Sequence, residues 1–201
     1  MYEKKEEFLR AFIEELREVL SSVPDLGWKR HDGQRQVGGR DGCFLCGISA
    51  GNTANVVLRT AQWSVFLHHN QSYLGRCSVV LNGHAESLSA LDDGEWTDLL
   101  AIIQLLESAC AGLFGATMFN WTCLMNLAYQ TDPPDPHVHF HFRPRYRQPV
   151  EFGGLIFEDA EFGRHFDIQA SRLLPEEVQT RLATRLRERL ARGRNRTLGA
   201  E

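Results

Sequence analysis

The spacing of apolar residues divides the chain into helical and extended stretches. Between residues 3 and 20, Phe8, Leu9, Phe12, Ile13, Leu16, Val19 and Leu20 recur three or four apart with charged residues between them, which predicts an amphipathic helix. Ser21 to Arg40 is polar and glycine-rich and reads as a loop or linker. Val56–Arg59, Trp63–His68 and Cys77–Leu81 are short runs rich in β-branched and aromatic residues, as strands are. A long helix is expected from about Gly94 to Leu113, capped by Asp92, with Trp96, Leu99, Leu100, Ile103, Leu106 and Leu113 on its stripe. Met118–Met125 and His137–Phe142 read as a fourth and a fifth strand. Between them, Asp132-Pro-Pro-Asp-Pro136 can join neither a helix nor an interior strand and must be an ordered loop. Pro175 opens a last helix with Val178, Leu182, Leu186 and Leu190 four apart. The strands follow one another too closely for several crossover helices, so the pattern predicts an α+β fold: an antiparallel five-stranded sheet, a long helix, and helical extensions at both termini.

Composition narrows this little. The chain has 201 residues, 43% hydrophobic and 24% charged, which suits one globular domain with additions. A chain of that size buries roughly 70% of its unfolded surface and needs no disulfide or metal to fold. A net charge of −4 argues against a general nucleic-acid coat protein. No run approaches the length of an apolar membrane span, and the charged start Met1-Tyr-Glu-Lys-Lys lacks a signal-peptide core, so membrane and secreted classes are disfavoured. Five cysteines, an odd number, fit a reducing, cytoplasmic setting. From Arg181 to Arg196 there are seven arginines and one acid; with leucines every fourth position, this is the wet face of a docking helix rather than a nucleic-acid surface.

The histidines are less ordinary. In an extended chain alternate side chains share a face, so His137, His139 and His141 line one side while Val138, Phe140 and Phe142 line the other. The apolar side is core. Three imidazoles in strict alternation fill a core poorly, and they favour chemistry over a merely wetted strand, because neutral imidazole attacks electrophiles and accepts protons near pH 7. Cys43-Phe-Leu-Cys46 has a spacing that presents two thiolates to one ion, although redox pairs, a disulfide and a metal-free thiol pair share it. Cys77, Cys110 and Cys123 fall in strand or helix patterns and read as small core residues.

His137-Val-His-Phe-His-Phe-Arg143 resembles the signature of the histidine-triad (HIT) family, in which three histidines alternate with apolar residues. Cys43–Cys46, the strand bracketed by Gly75 and His84, the long helix and Asn126 follow in the family's order. The resemblance covers residues 40–146, leaving 1–39 as an N-terminal helix and linker and 147–201 as a C-terminal extension. It implies a HIT-like fold, pairing into a homodimer through a continuous sheet, and hydrolysis or transfer at the α-phosphate of a nucleotide, with no catalytic cofactor. On this resemblance His139 is the nucleophile, its other ring nitrogen held as N–H by a backbone carbonyl. His141 and Asn126 attend the phosphate, and His68 takes the ribose-binding position. Bacterial members with the cysteine motif bind structural zinc through the positions that are here Cys43, Cys46, His84 and His137.

Three positions depart from the family pattern. Arg76 replaces a histidine after Gly75 and offers a permanent cation to a phosphate. Asp132-Pro-Pro-Asp135 replaces a loop that carries an amide, a hydroxyl and backbone donors. Arg143 replaces the last apolar residue of the signature. The main expectation is an enzyme that cleaves a phosphoanhydride or phosphoramidate. The alternatives are a non-catalytic nucleotide-binding or zinc-stabilised interaction protein and, on the basic last helix, an adenylyl-removing nucleic-acid repair enzyme.

Overall fold

The computed structural model describes residues 39–51 and 54–198, the last four as backbone only. The helix expected over residues 3–20 and nearly all of its linker lie outside the described residues. A short helix α1 (Phe44–Ala50) precedes strands β1 (Val56–Arg59), β2 (Trp63–Leu67) and β3 (Cys77–Leu81). Helix α2 (Asp93–Phe114), strands β4 (Met118–Thr122) and β5 (His139–Arg145), a hairpin β6–β7 (Val150–Phe152, Leu155–Phe157) and helix α3 (Glu176–Leu198) follow. The first five strands form one antiparallel sheet in the order β1-β2-β3-β5-β4, as expected for an α+β chain with short connections.

Strand alternation gives this sheet two different faces. Trp63, Val65, Leu67, Cys77, Val79, Leu81 and Phe142 are buried on one face beneath Leu99, Ile102, Leu106 and Cys110 of α2 and Leu182, Leu186 and Leu190 of α3. Each such leucine or isoleucine contributes about 1.5–3 kcal/mol by leaving water. The leucines four apart on the last helix are therefore part of the same core as the sheet. Arg187 on that helix donates to the carbonyls of Ala54 and Val56, and Gly112 lets α2 approach the Arg189 guanidinium, where a Cβ would meet Nη2 at 2.7 Å. Part of the basic run thus braces β1 and α2.

Helix α2 starts at a capping box, in which Asp92 accepts from the Glu95 amide while the Glu95 carboxylate accepts from the Asp92 amide, and it stops at the left-handed Gly115. Its length and hydropathy would suit a membrane span, yet a third of it is buried and its stripe packs on the sheet. Trp96 and Leu100, expected on that stripe, are exposed; Ile102 and Ala109 are buried instead.

Two expected strands shift. β4 ends at Thr122 rather than Met125, and β5 runs from His139 to Arg145 instead of from His137 to Phe142. The β6–β7 hairpin is additional. It turns on Gly153 and Gly154, both with positive φ, the signature of a two-residue loop that fits strand twist. Beyond it the chain returns along the β2–β3 loop: Asn70 bridges Leu173, the Gln71 amide donates to Arg172 O, and Asn70 Nδ2 donates to Ala170 O.

Candidate active site and metal centre

The polar face of the sheet is ordered by register. Val80 lies opposite His139, Ser78 opposite His141, and Cys77 opposite Phe142, so Arg76, the residue before β3, falls beside Arg143. On the other flank, Thr122 pairs with His141 and Asn120 with Arg143. On the β2 side, the His68 amide donates to Arg76 O at 3.0 Å. One row of the face therefore runs His68, Arg76, Arg143, Asn120, and the next contains Ser78, His141 and Thr122.

His137 and His139 use their rings in opposite senses. His137 Nε2 lies 2.9 Å from Leu81 O, and a carbonyl only accepts, so the proton sits on Nε2 and the Nδ1 lone pair is free. That Nδ1 stands 3.4 Å from both Cys43 Sγ and Cys46 Sγ. His139 Nδ1 lies 2.8 Å from His137 O, so its proton is on Nδ1 and its Nε2 is the free base. The His141 ring stands edge-on to His139, with centroids 5.0 Å apart.

Cys43, Cys46, His84 and His137 bring one ligand atom each to within 4.8 Å of one another. His84 Nδ1 is 3.6 Å from Cys46 Sγ. A tetrahedral zinc with ordinary Zn–S and Zn–N bonds separates its sulfur and nitrogen ligands by about 3.5 Å, the spacing that the two His137–cysteine distances and the His84–Cys46 distance show. Burial pushes the Cys46 thiol up, against the Arg40 amide that donates to its sulfur at 3.2 Å, and burial brings His137 down to about 4. Gly39 passes so close to Cys46 that a Cβ would sit 2.8 Å from the cysteine's own. Asp135, from the Asp132–Asp135 loop, lies 3.2 Å from Arg40 and 3.9 Å from His84 Nε2. It thus lies between the Arg40 guanidinium and the cysteine–histidine cluster.

At the other end of the face, His68 Nδ1 accepts from the Asn70 amide at 3.0 Å. Burial, then Arg76, His69 and His141, bring His68 down to about 3. Burial, then His139, Arg143 and Arg76, bring His141 down to about 4, and its Nδ1 is buried without a partner. Gly75, at φ +88, leaves no room for a side chain: a Cβ there would meet Phe114 at 3.1 Å and Cys110 at 3.3 Å. The buried Gln71 accepts from the Gly75 amide and donates to both His68 O and Arg76 O, fixing the loop that carries the row.

Asn126 is not drawn into this arrangement. It opens a 3-10 turn (Asn126–Gln130), and its side chain is exposed. Cys123 is only partly buried, unlike Cys77 and Cys110; burial pushes its thiol up and the His139 amide opposes the shift. Two features escaped the sequence. Phe166 covers the Arg143 guanidinium at 4.1 Å, and Arg145, fully buried, forms a two-bonded ion pair with Asp159 at 2.6 and 2.8 Å. A cavity of about 580 Å³ lies between α2 and α3 among Leu58, Ile102, Leu105 and Arg189, and no histidine or cysteine lines it.

No protein-family profile and no curated protein matches the sequence. Solved structures do. A Zn-bound histidine triad family protein from Mycobacterium smegmatis superposes with a TM-score of 0.52 at 20% identity, over 75% of this chain and 94% of that one. A hypothetical histidine triad nucleotide-binding protein from Sulfolobus tokodaii gives 0.56 at 16% identity, over 79% and 97%. A uridylyltransferase gives 0.52 at 18% identity, over 75% of this chain but 45% of the larger enzyme, so the present chain spans less than half of it. The chain has the histidine-triad fold.

Proposed function

We propose that the protein is a histidine-triad nucleotide hydrolase or nucleotidyl transferase that acts at a nucleoside α-phosphate. The hydrogen bond from His139 Nδ1 to His137 O carries this reading, because it leaves Nε2 as a nucleophile on the polar face. In the first step Nε2 forms a bond to phosphorus and the bond to the leaving group breaks, its electron pair departing with that group. In the second, water or another acceptor attacks the same phosphorus and gives up its proton to solvent, the N–P bond breaks, and the electron pair returns to Nε2. The positive charge on the ring in between is held by Nδ1–H against His137 O. His141 donates a hydrogen bond to the phosphate or helps the leaving group depart, Arg76 holds a phosphate oxygen, and His68 stands where a ribose would lie. Asn126 reaches the phosphate only if its turn closes over bound nucleotide.

Zinc held by Cys43, Cys46, His84 and His137 would be closed to water and so structural. It would tie α1 to the residue whose carbonyl orients His139. Five free cysteines, two of them in this cluster, support a reducing, cytoplasmic setting. The edge of β4, unpaired among the described residues, and the exposed Trp96 and Leu100 on α2 support pairing of two copies into a continuous sheet.

The test is His139→Ala. Turnover of adenylyl, guanylyl and uridylyl substrates should fall on the order of 10³-fold or more, with no histidine-linked nucleotide trapped. Retained turnover sinks the mechanism. The replaced loop at Asp132–Asp135 favours a second reading, a nucleotide-binding protein without catalysis, and tight binding without turnover in the unaltered protein would establish that one instead.

A further inference from the structure

The helix-covered side of the sheet holds a space that the nucleotide reading leaves unused, the cavity of about 580 Å³ between α2, α3 and the end of β1. We propose that it binds an aliphatic carboxylate, an unbranched alkyl chain that ends in one carboxylate group. This site stands apart from the nucleotide site and does not depend on it.

The space opens where the chain is small. Helices α2 and α3 close on each other at two glycines: a Cβ on Gly112 would meet Arg189 Nη2 at 2.7 Å, and one on Gly193 would meet Leu105 Cδ2 at 2.9 Å. Beside these contacts α2 offers Ala101, Ser108 and Ala109, whose short side chains leave the space unfilled. The lining runs along α2 from Asp98 to Ala109, roughly 17 Å, so the cavity is elongated and suits a chain better than a compact anion. Leu58, Ile102 and Leu105 give it aliphatic walls. Among the described residues no aromatic ring lines it, so an alkyl chain finds contact while a flat ring finds nothing to stack on. Its volume lies within the ordinary range for small-molecule sites, about 300–1,000 Å³.

The charge comes from α3. Arg189, Arg192 and Arg194 line the cavity, and among the described residues no carboxylate lies within 4 Å of any of them. Their neighbours show the alternatives: Arg187 donates to the carbonyls of Ala54 and Val56, and Arg185 has Glu188 at 3.8 Å. The one acid in the lining, Asp98, accepts from the Gln62 amide at 3.1 Å. It stands roughly 21 Å along α2 from Gly112, where the Arg189 guanidinium lies, and so does not oppose that charge. A carboxylate supplies the missing negative charge, and a guanidinium fork meets both of its oxygens.

The polar face and the pairing surface both lie elsewhere. His139 is on the other face of the sheet, because α2 and α3 cover the face that carries Trp63, Val65 and Phe142. Trp96, which supports pairing of two copies, is about two and a half turns from Leu105 and so leaves α2 on the opposite side.

The experiment is calorimetry on the full chain with decanoate, and with decan-1-ol, decyltrimethylammonium and butyrate for comparison. Decanoate should bind at one site per chain, at least about tenfold tighter than decan-1-ol, which has the tail without the charge. It should bind at least about 100-fold tighter than butyrate, which has the charge on a short tail. Decyltrimethylammonium, whose head has the wrong sign, should bind more weakly than the alcohol. Arg189→Gln should weaken decanoate about tenfold and decan-1-ol less than about twofold. Ala101→Phe, which puts a ring into the cavity from an exposed position, should weaken both at least about tenfold. Equal affinity for decanoate and decan-1-ol, several sites per chain, binding that survives both substitutions, or no binding would overturn the proposal. If Arg189→Gln does not fold, the exposed Arg192→Gln carries the charge test, with an expected loss of about threefold for decanoate alone.

Discussion

The two ends of the polar face gather buried polar groups by opposite rules. At one end Cys43, Cys46, His84 and His137 turn their lone pairs toward one point, and the second nitrogen of His137 is satisfied by Leu81 O. At the other, His68, Arg76, His141 and Arg143 present donors and positive charge, and Nε of Arg76 and Nδ1 of His141 have no partner among the described residues. Convergent lone pairs within bonding range of one ion make a closed site, and closed sites stabilise. Uncompensated cations make an open site, which costs stability until an anion arrives. His137 and His139 sit on the boundary: two residues apart on one face, they carry their protons on opposite nitrogens because each donates to a different carbonyl. Identical residues thus acquire different chemistry from their second partner.

The comparison breaks most readily at the arginines of β5. Arg145 and Arg143 share strand and face, but among the described residues only Arg145 has a carboxylate. Asp159→Asn leaves Arg145 buried with its ion pair gone and should destabilise the protein by about 3–5 kcal/mol, read from the urea midpoint at unchanged slope. Arg143→Gln should lie within about 1 kcal/mol of the parent, or on the stable side, because it removes a charge the protein does not neutralise. Equal losses in the two variants would mean that Arg143 has a hidden structural partner and that the open end is closed after all.

A smaller effect tests the other end. Cys43→Ser should abolish zinc in elemental analysis of purified protein and lower the melting temperature by at least about 5 °C, which corresponds to roughly 2 kcal/mol in a domain of this size. Since His137 carries the carbonyl that orients His139, turnover should fall by about 10–100-fold, the usual cost of losing an orienting contact. Zinc loss with unaltered turnover would separate the two ends of the face.

How far the sequence reached follows the range of the interactions. Helix α2, its Asp92 cap and the leucine repeat of α3 are written locally, in period and capping residues, and they stand where the pattern puts them. Alternation assigned the faces of β5 correctly, and the resemblance to histidine-triad proteins named Cys43, Cys46, His84 and His137, which the structure brings together as a possible metal site. The stretch after Phe142 did not yield. Arg-Pro-Arg-Tyr-Arg carries no local signal for burial, yet Arg143 and Arg145 are buried because Asp159, Glu161 and Phe166 fold back over them from residues with no pattern of their own. Asn126 shows the converse: a position matched by order along the chain stands exposed on its turn, because chain order does not set the path of a loop. The double glycine of the β6–β7 hairpin was a local signal and could have been found.

The smallest effect is the one pH exposes, and it separates the ends again. His68 and His141 are brought down to about 3 and about 4, from an ordinary value near 6.5, chiefly by burial and then by their cationic neighbours. The unfolded chain takes up these protons as pH falls through about 6.5, while the folded chain resists until about 4 or below, so acid favours unfolding. Their contribution to stability is therefore full above about pH 6.5 and is lost as pH falls through about 4. The urea midpoint should drop between pH 7.5 and pH 4.5, and His68→Asn should flatten that drop because one resisting imidazole is gone. Acid also protonates the ligands at the metal end and releases zinc, so the comparison is made in the Cys43→Ser background, where zinc release is removed and His137 contributes equally with and without His68→Asn. If His68→Asn leaves the slope unchanged there, His68 titrates near its ordinary value and is not under the field of Arg76.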